Sequence, residues 1–154
     1  MQHEIRIRTA RSGDVEQIAE LNAAMAWETE RTQLCLDTLT RGVQAVLDNP
    51  AHGFYAVAEN DGQVVGCLMV TFEWSDWRCG QFWWIQSLYI RPPFRKQGVF
   101  RRLHEFVEAQ ARRRPEVCGI RLYVEHSNHT AQHVYEHIGM RLLPYRMYEQ
   151  KLPR

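Results

Sequence analysis

The sequence predicts an α/β domain on a mixed, mostly antiparallel sheet of about six or seven strands flanked by about four helices. Three observations predict it. Apolar, β-branched runs in the middle of the chain are joined by a tight turn at Asn60, Asp61 and Gly62. A later stretch reads strand, helix, strand. Amphipathic helical stripes stand before and after the hairpin region. Hairpin-linked strands pair antiparallel, whereas a helical crossover returns the chain parallel, so the sheet is mixed. With 154 residues, 45% hydrophobic and 24% charged, the chain is expected to be one soluble domain, 1–154, around one core.

The elements follow in order. Ile5 and Ile7 alternate with charged residues, which marks a short strand. Ser12 or Asp14 is placed to cap a helix carrying Val15, Ile18, Ala19, Asn22 and Met25 on one side. Asp37 is placed to cap a second, with Leu39, Val43, Val46 and Leu47 as its stripe and Pro50 beyond its end. FYAVAE at 54–59 and VVGCLMVTF at 64–72 flank the Asp61-Gly62 pair and form a hairpin. FWWIQSLYI at 82–90 is the next strand. Val99, Phe100, Leu103, Phe106, Val107 and Ala111 mark a helix ending near Pro115. IRLYV at 120–124 is a strand, 130–138 a short helix closed by Gly139, and 142–149 a final strand. The chain shows no internal repeat and no low-complexity linker.

Composition excludes some classes. The formal net charge of +1 gives no global attraction to nucleic acid, and Arg112, Arg113 and Arg114 sit at a helix end, where cations favour the dipole. No apolar run approaches the roughly 20 residues of a membrane span, and MQHEIRIR lacks a secretory apolar segment. The four cysteines are widely spaced without a CxxC pair, so they are expected to be reduced and mainly buried, in a cytoplasmic protein.

The chemistry concentrates in LYIRPPFRKQGVFR, residues 88–101, where an apolar strand meets a proline stop and then a basic glycine turn that opens a helix. First-turn N–H groups lack intrahelical partners, and the helix dipole adds positive charge there. Gly98 has no β-carbon, so a phosphate can approach the main chain. Arg95, Lys96, Arg101 and Arg102 surround it with charge that suits a diphosphate. The stretch lacks the GK[ST] ending of a Walker loop, and no GxGxxG appears in the chain.

With those residues in view, the chain resembles the GNAT acetyltransferase superfamily over nearly all its length. The family marks its diphosphate turn with glutamine or arginine, then glycine three positions on, then glycine or alanine two further. Arg95, Gly98 and Phe100 occupy those positions, and Phe100 departs from the pattern. A second signature, NxxAxxxYxxxG, is matched fully by Asn128, Ala131, Tyr135 and Gly139. The resemblance implies a GNAT-like sheet with a splay between two central parallel strands, here 82–90 and 120–125. In that gap the pantetheine of acetyl-CoA lies against the backbone of Leu88, Tyr89 and Ile90. It also implies cofactor contacts from Arg95, Lys96, Gln97, Gly98, Val99, Phe100 and Arg101, with Asn128 touching the pantetheine arm. Tyr135 is the implied acid for the departing thiolate.

The resemblance further implies direct transfer of an acetyl group from acetyl-CoA to an amine acceptor, with no metal and no acyl-enzyme. The central strand offers no carboxylate base, which leaves Glu73, Glu125 or water. The acceptor site is expected from Trp27, Glu28, Glu73, Trp84 and Tyr145, with Glu30, Trp74, Trp77 and Trp83 as further candidates. Aromatic walls with acids suit a cationic, small or amino-acid-like amine. A homodimer is left open; nucleic acid and membrane partners are not expected. Two alternatives remain. HVYEH at 133–137 matches the zinc-hydrolase pattern HxxEH, with His133 and His137 as ligands and Glu136 as base, but the 17 residues after His137 contain only Glu149 as a further acid. A catalytically silent acyl-CoA-binding domain would keep the fold without the chemistry.

Overall fold

The computed structural model describes residues 4–154. The chain divides into two compact units, Met1–Tyr123 and Val124–Arg154. The first holds β1 (Arg6–Thr9), a 3-10 turn (Ser12–Asp14), α1 (Val15–Glu30), α2 (Leu36–Asp48), β2 (Phe54–Asn60), β3 (Gln63–Ser75) and β4 (Gly80–Ile90). A second 3-10 turn (Pro92–Phe94), α3 (Val99–Arg112) and β5 (Val117–Arg121) complete it, and the second unit carries α4 (His129–His137).

Among the described residues the sheet has five strands in the order β1-β2-β3-β4-β5, rather than six or seven. The first three pairings are antiparallel and β4–β5 is parallel. The parallel pair therefore lies at the edge of this sheet and not at its centre. Residues 142–149 form no strand. Pro144 removes a ladder donor within that run, and Leu142, Tyr145, Met147 and Tyr148 are largely exposed. β5 begins three residues earlier than its apolar pattern suggests, because the Gln81 N–H already bonds the Glu116 carbonyl at 2.7 Å and fixes the register from there.

Strand alternation sends successive side chains into two cores. Ala56, Ala58, Val65, Leu68, Val70, Trp83 and Ile85 meet Val99, Leu103, Val107 and Ala111 of α3. Tyr55, Val57, Val64, Cys67 and Tyr89 meet Val15, Ile18 and Leu21 of α1 and Val43 of α2. Asp61 (φ 49°) and Gly62 (φ 77°) both take left-handed backbone, the requirement of a two-residue hairpin turn that matches strand twist. Trp83, a candidate for the acceptor wall, instead lies in the α3-side core with its ring 5.2 Å from Phe54 and 5.9 Å from Phe72.

Two capping expectations change. Asp14 stands at the N-cap of α1 but caps nothing there. Its carboxylate instead accepts from Arg8 Nη1 (2.7 Å), Arg8 Nη2 (2.8 Å) and the Arg11 N–H (2.8 Å), which turn it toward β1 and the 3-10 turn. The N-cap of α2 is Cys35, and Asp37 lies inside the first turn, paired with Arg41 at 3.1 Å. The cysteines also differ from expectation: Cys67 is buried, whereas Cys35, Cys79 and Cys118 are exposed, on a helix cap, a turn and an edge strand. No helix among the described residues is long and apolar enough to cross a membrane.

Candidate functional site

The glycine turn has the backbone of an anion cradle. Lys96 (φ 60°) and Gly98 (φ 75°) both adopt left-handed conformations just before α3, and Gly98, its N-cap, provides no side-chain cap. A β-carbon built on Gly98 would meet no atom within 4 Å, so the space before the helix start is open. Val99 is buried in the core and brings only its main chain to the turn. The Gln97 amide donates to the Pro93 carbonyl at 2.8 Å, and Arg101 pairs with Glu105 at 2.9 Å. Lys96 is exposed. Phe100 turns its ring toward His104, with centroids 6.1 Å apart, along the helix rather than across the turn.

β4 supplies an open edge beside that turn. Its parallel pairing with β5 runs from Gln81↔Val117 to Trp84↔Arg121 and stops there, while its antiparallel pairing with β3 continues to Ile90. Beyond Trp84 the strand is thus laddered to β3 alone, because β5 ends at Arg121. On the β3 side, Tyr89 faces Cys67 and Gln86 faces Met69, so Ser87 and Leu88 together oppose Leu68. Ser87 takes φ 49°, and this bulge changes which face later residues present. Trp83, Ile85, Leu88 and Ile90 face α3, whereas Tyr89 belongs to the α1 side. The Cys67 thiol reaches the Ser87 carbonyl at 3.8 Å and supports the bulge from below.

The second unit is a short helix with both ends secured. The Asn128 side chain accepts from the Ala131 N–H at 3.1 Å, a true N-cap. At the other end the Gly139 N–H bonds Glu136 O and the Met140 N–H bonds Tyr135 O, each at 3.0 Å, with Gly139 at φ 94°. That is a Schellman closure. Tyr135 is half-buried, and burial pushes its phenol above the ordinary value of 10.0. His133 and Glu136 of the HVYEH run are exposed, 3.9 Å apart. Among the described residues no three His, Cys, Asp or Glu side chains gather to hold a metal ion.

The sequence matches the profile of the acetyltransferase (GNAT) family over residues 15–140. This chain belongs to the GNAT acetyltransferase family. It is accordingly an acyltransferase. A possible acetyltransferase from Clostridium difficile 630 is similar at 40% identity, with a TM-score of 0.89 over 97% of this chain and 99% of that one. Two more distant structures share the fold. One is aminoglycoside N-acetyltransferase AAC(6')-Iy in complex with CoA, at 16% identity and TM-score 0.80 over 98% of this chain and 97% of that one. The other is ribosomal-protein-alanine N-acetyltransferase from Brucella melitensis biovar Abortus 2308, at 17% identity and TM-score 0.78 over 97% and 100%. No curated protein matches the sequence.

In this GNAT acetyltransferase, two residues expected to serve different ligands bind each other. Arg95 grips Glu28 of α1 with both terminal nitrogens, at 2.7 and 2.8 Å, and its Nε donates to the Ile90 carbonyl at 2.8 Å. The Tyr89 hydroxyl donates to the same carboxylate at 2.9 Å, and the guanidinium lies 5.2 Å from the Tyr89 ring centroid. Arg95 holds the Glu28 carboxyl below the usual carboxylate range. Glu73 is likewise committed, to Arg121 at 3.0 Å. Glu125 accepts from the Ser127 N–H at 3.0 Å and from the Ser127 hydroxyl, and these bonds hold its carboxyl low. Trp27, Trp74 and Trp77 are exposed in the first unit, and Tyr145 in the second.

A cluster that the sequence did not disclose joins β3, β4 and the segment just after β5. The Gln86 amide donates to the Thr71 hydroxyl, and the Tyr123 hydroxyl donates to Gln86 Oε1 at 3.5 Å. The Trp84 and Tyr123 rings stand 5.8 Å apart at 48°. The β3–β4 register sets Thr71 diagonally across from Gln86, since Thr71 pairs with Trp84 and Met69 with Gln86, but it does not place Tyr123.

Proposed function

We propose that this acyltransferase moves the acetyl group of acetyl-CoA directly onto the amine of a small acceptor. The observation that carries this reading is the pairing of an uncapped, open glycine turn with a strand edge free beyond Trp84. The turn fits a diphosphate, and main-chain groups of Leu88, Tyr89 and Ile90 fit the amides of pantetheine. A bulge N–H directed at the thioester oxygen would meet charge that grows only in the transition state. Arg95 then acts as a positioning residue. It ties the entry to the turn, through Ile90, to the helix that carries Glu28.

In the proposed reaction the neutral amine attacks the thioester carbon, the new C–N bond forms and the C–S bond breaks. The sulfur departs as thiolate and receives a hydrogen bond from the Tyr135 hydroxyl; any proton the phenol passes to sulfur is returned to it from water. The proton lost by the amine passes to water, because Glu73 is ion-paired and Glu125 is held low. Asn128 contributes as the cap that fixes the start of α4 and as a polar contact for the pantetheine arm.

The test is release of free thiol from acetyl-CoA in the presence of amines, together with calorimetric titration of CoA. Gly98→Val is expected to weaken CoA binding by about tenfold or more, since a β-carbon both strains the left-handed backbone and enters the open space. The backbone strain itself costs about 1–3 kcal/mol, a drop of several degrees in melting temperature, so the Kd is measured well below the transition, where the protein is folded. An unchanged Kd would reject the turn as the diphosphate site.

A further inference from the structure

Alternation along β3 and β4 puts Tyr89, Gln86, Trp84 and Phe82 on one face with Cys67, Met69, Thr71 and Glu73. The acids bordering this strip are closed at both ends. Near Tyr89, both oxygens of Glu28 are taken by Arg95, one of them also by the Tyr89 hydroxyl. Near Phe82, Glu73 is bound by Arg121, whose guanidinium also lies 3.6 Å from the centroid of the Phe82 ring. Between these pairs the strip is neutral: Met69, Thr71, Gln86 and Trp84.

Within it, one acceptor atom is oriented. One N–H of Gln86 Nε2 donates to Thr71, which orients the amide and turns Oε1 to the opposite side. Among the described residues Oε1 receives only the Tyr123 hydroxyl, at a long 3.5 Å, and a carbonyl oxygen has room for a better donor. Gln86 immediately precedes the bulged Ser87. The neighbouring Trp84 and Tyr123 rings offer apolar surface, Tyr123 being 54% exposed.

We infer that the acceptor is a primary amine on an uncharged aromatic or aliphatic body, its N–H bonded to Gln86 Oε1 and its body laid on Trp84 and Tyr123. The inference rests on the acetyltransferase function proposed above and refines its acceptor. A polyamine would place second and third charges beside arginine-closed acids and gain little from them. A monoamine needs only the neutral acceptor atom and the rings. Glu28 and Glu73 are then not amine ligands, and Gln86 determines specificity.

The experiment measures kcat/KM with acetyl-CoA for 2-phenylethylamine and for spermidine, alongside binding of each amine in the presence of CoA. Phenylethylamine is expected to exceed spermidine by about thirtyfold or more, within the range that a pocket's polar mismatch produces. Gln86→Leu should lower kcat/KM for phenylethylamine by about tenfold to a hundredfold, the value of a hydrogen bond to a charged or reacting group, with the Kd of acetyl-CoA unchanged. Arg121→Gln, which releases Glu73, should improve spermidine several-fold. Equal or better use of spermidine by the unaltered enzyme overturns the inference, as does an unaffected Gln86→Leu enzyme or binding of neither amine. If acetyl-CoA still binds in those cases, only the acceptor assignment has failed; if acetyl-CoA does not bind, the transferase function fails with it.

Discussion

Tyr135→Phe is expected to lower kcat by about tenfold to a thousandfold, the span of a single general-acid contribution, with acetyl-CoA affinity and melting temperature near those of the unaltered protein. The substitution deletes one hydroxyl and keeps the half-buried ring, so packing of α4 is preserved. The thiolate that leaves is the weaker base of the two, with a thiol pKa near 8.5 against about 10 for a free phenol. Burial raises the Tyr135 phenol further. Full proton transfer is therefore uphill even to the fully formed thiolate, and the hydroxyl contributes mainly by donating a hydrogen bond to growing charge on sulfur. The same shift keeps the phenol protonated at every pH below 10, so the loss in Tyr135→Phe should be constant from pH 6 to 9. Only above pH 10, where the phenol ionises, should the unaltered enzyme decline toward the variant. A variant that retains full turnover in single-turnover thiol release would remove Tyr135 from the chemistry.

What was legible in the sequence is whatever depends on neighbours in the chain. Asn128 and Gly139 announced both ends of α4, Asp61-Gly62 announced the hairpin, and Gly98 marked the helix start, because caps and tight turns are set by one or two residues. The bulge at Ser87 was not legible. Its left-handed backbone falls on a serine, with no glycine or asparagine to signal it, and is imposed by the β3 register and the Cys67 contact. Long-range pairs were equally hidden. Glu28 and Arg95 are 67 positions apart, and each alone looked like a ligand for something else. Gln86 gives no signal in the sequence, because an amide is no base. Its interest comes from Thr71 and Tyr123, which only the fold brings to it. The apolar residues at 142–149 do not make a strand, since an apolar run becomes one only when a neighbouring edge accepts its ladder, and Pro144 removes one of that ladder's donors.

The largest stability effect is expected at Asp14, which is 3% exposed and receives three hydrogen bonds, two of them from Arg8. Arg8 in turn bridges to Glu59 at 2.6 Å, so the triad ties β1, the start of α1 and β2 together. Removing one member of a buried ion pair strands the other, at a cost of roughly 3–5 kcal/mol. Asp14→Asn should fall near the lower end, about 3 kcal/mol, because Glu59 still satisfies part of the guanidinium and the amide oxygen can accept one bond. For a domain of this length that loss is a drop of roughly 6–12 °C in melting temperature. The pH dependence has a definite sign. The Asp14 carboxyl is held below its ordinary 3.8, chiefly by the hydrogen bonds from Arg8, with the Arg11 N–H adding to them and burial opposing. A depressed acid stabilises the folded state above its unfolded pKa, and that contribution disappears as pH falls through the lower folded value. The unaltered protein should therefore hold its advantage over Asp14→Asn at pH 5 and above and lose it progressively below pH 4. An Asp14→Asn protein that melts at the same temperature at pH 7 would show that the triad does not stabilise the fold, and a difference that persists unchanged to pH 2 would show that the carboxylate's charge is not what stabilises it.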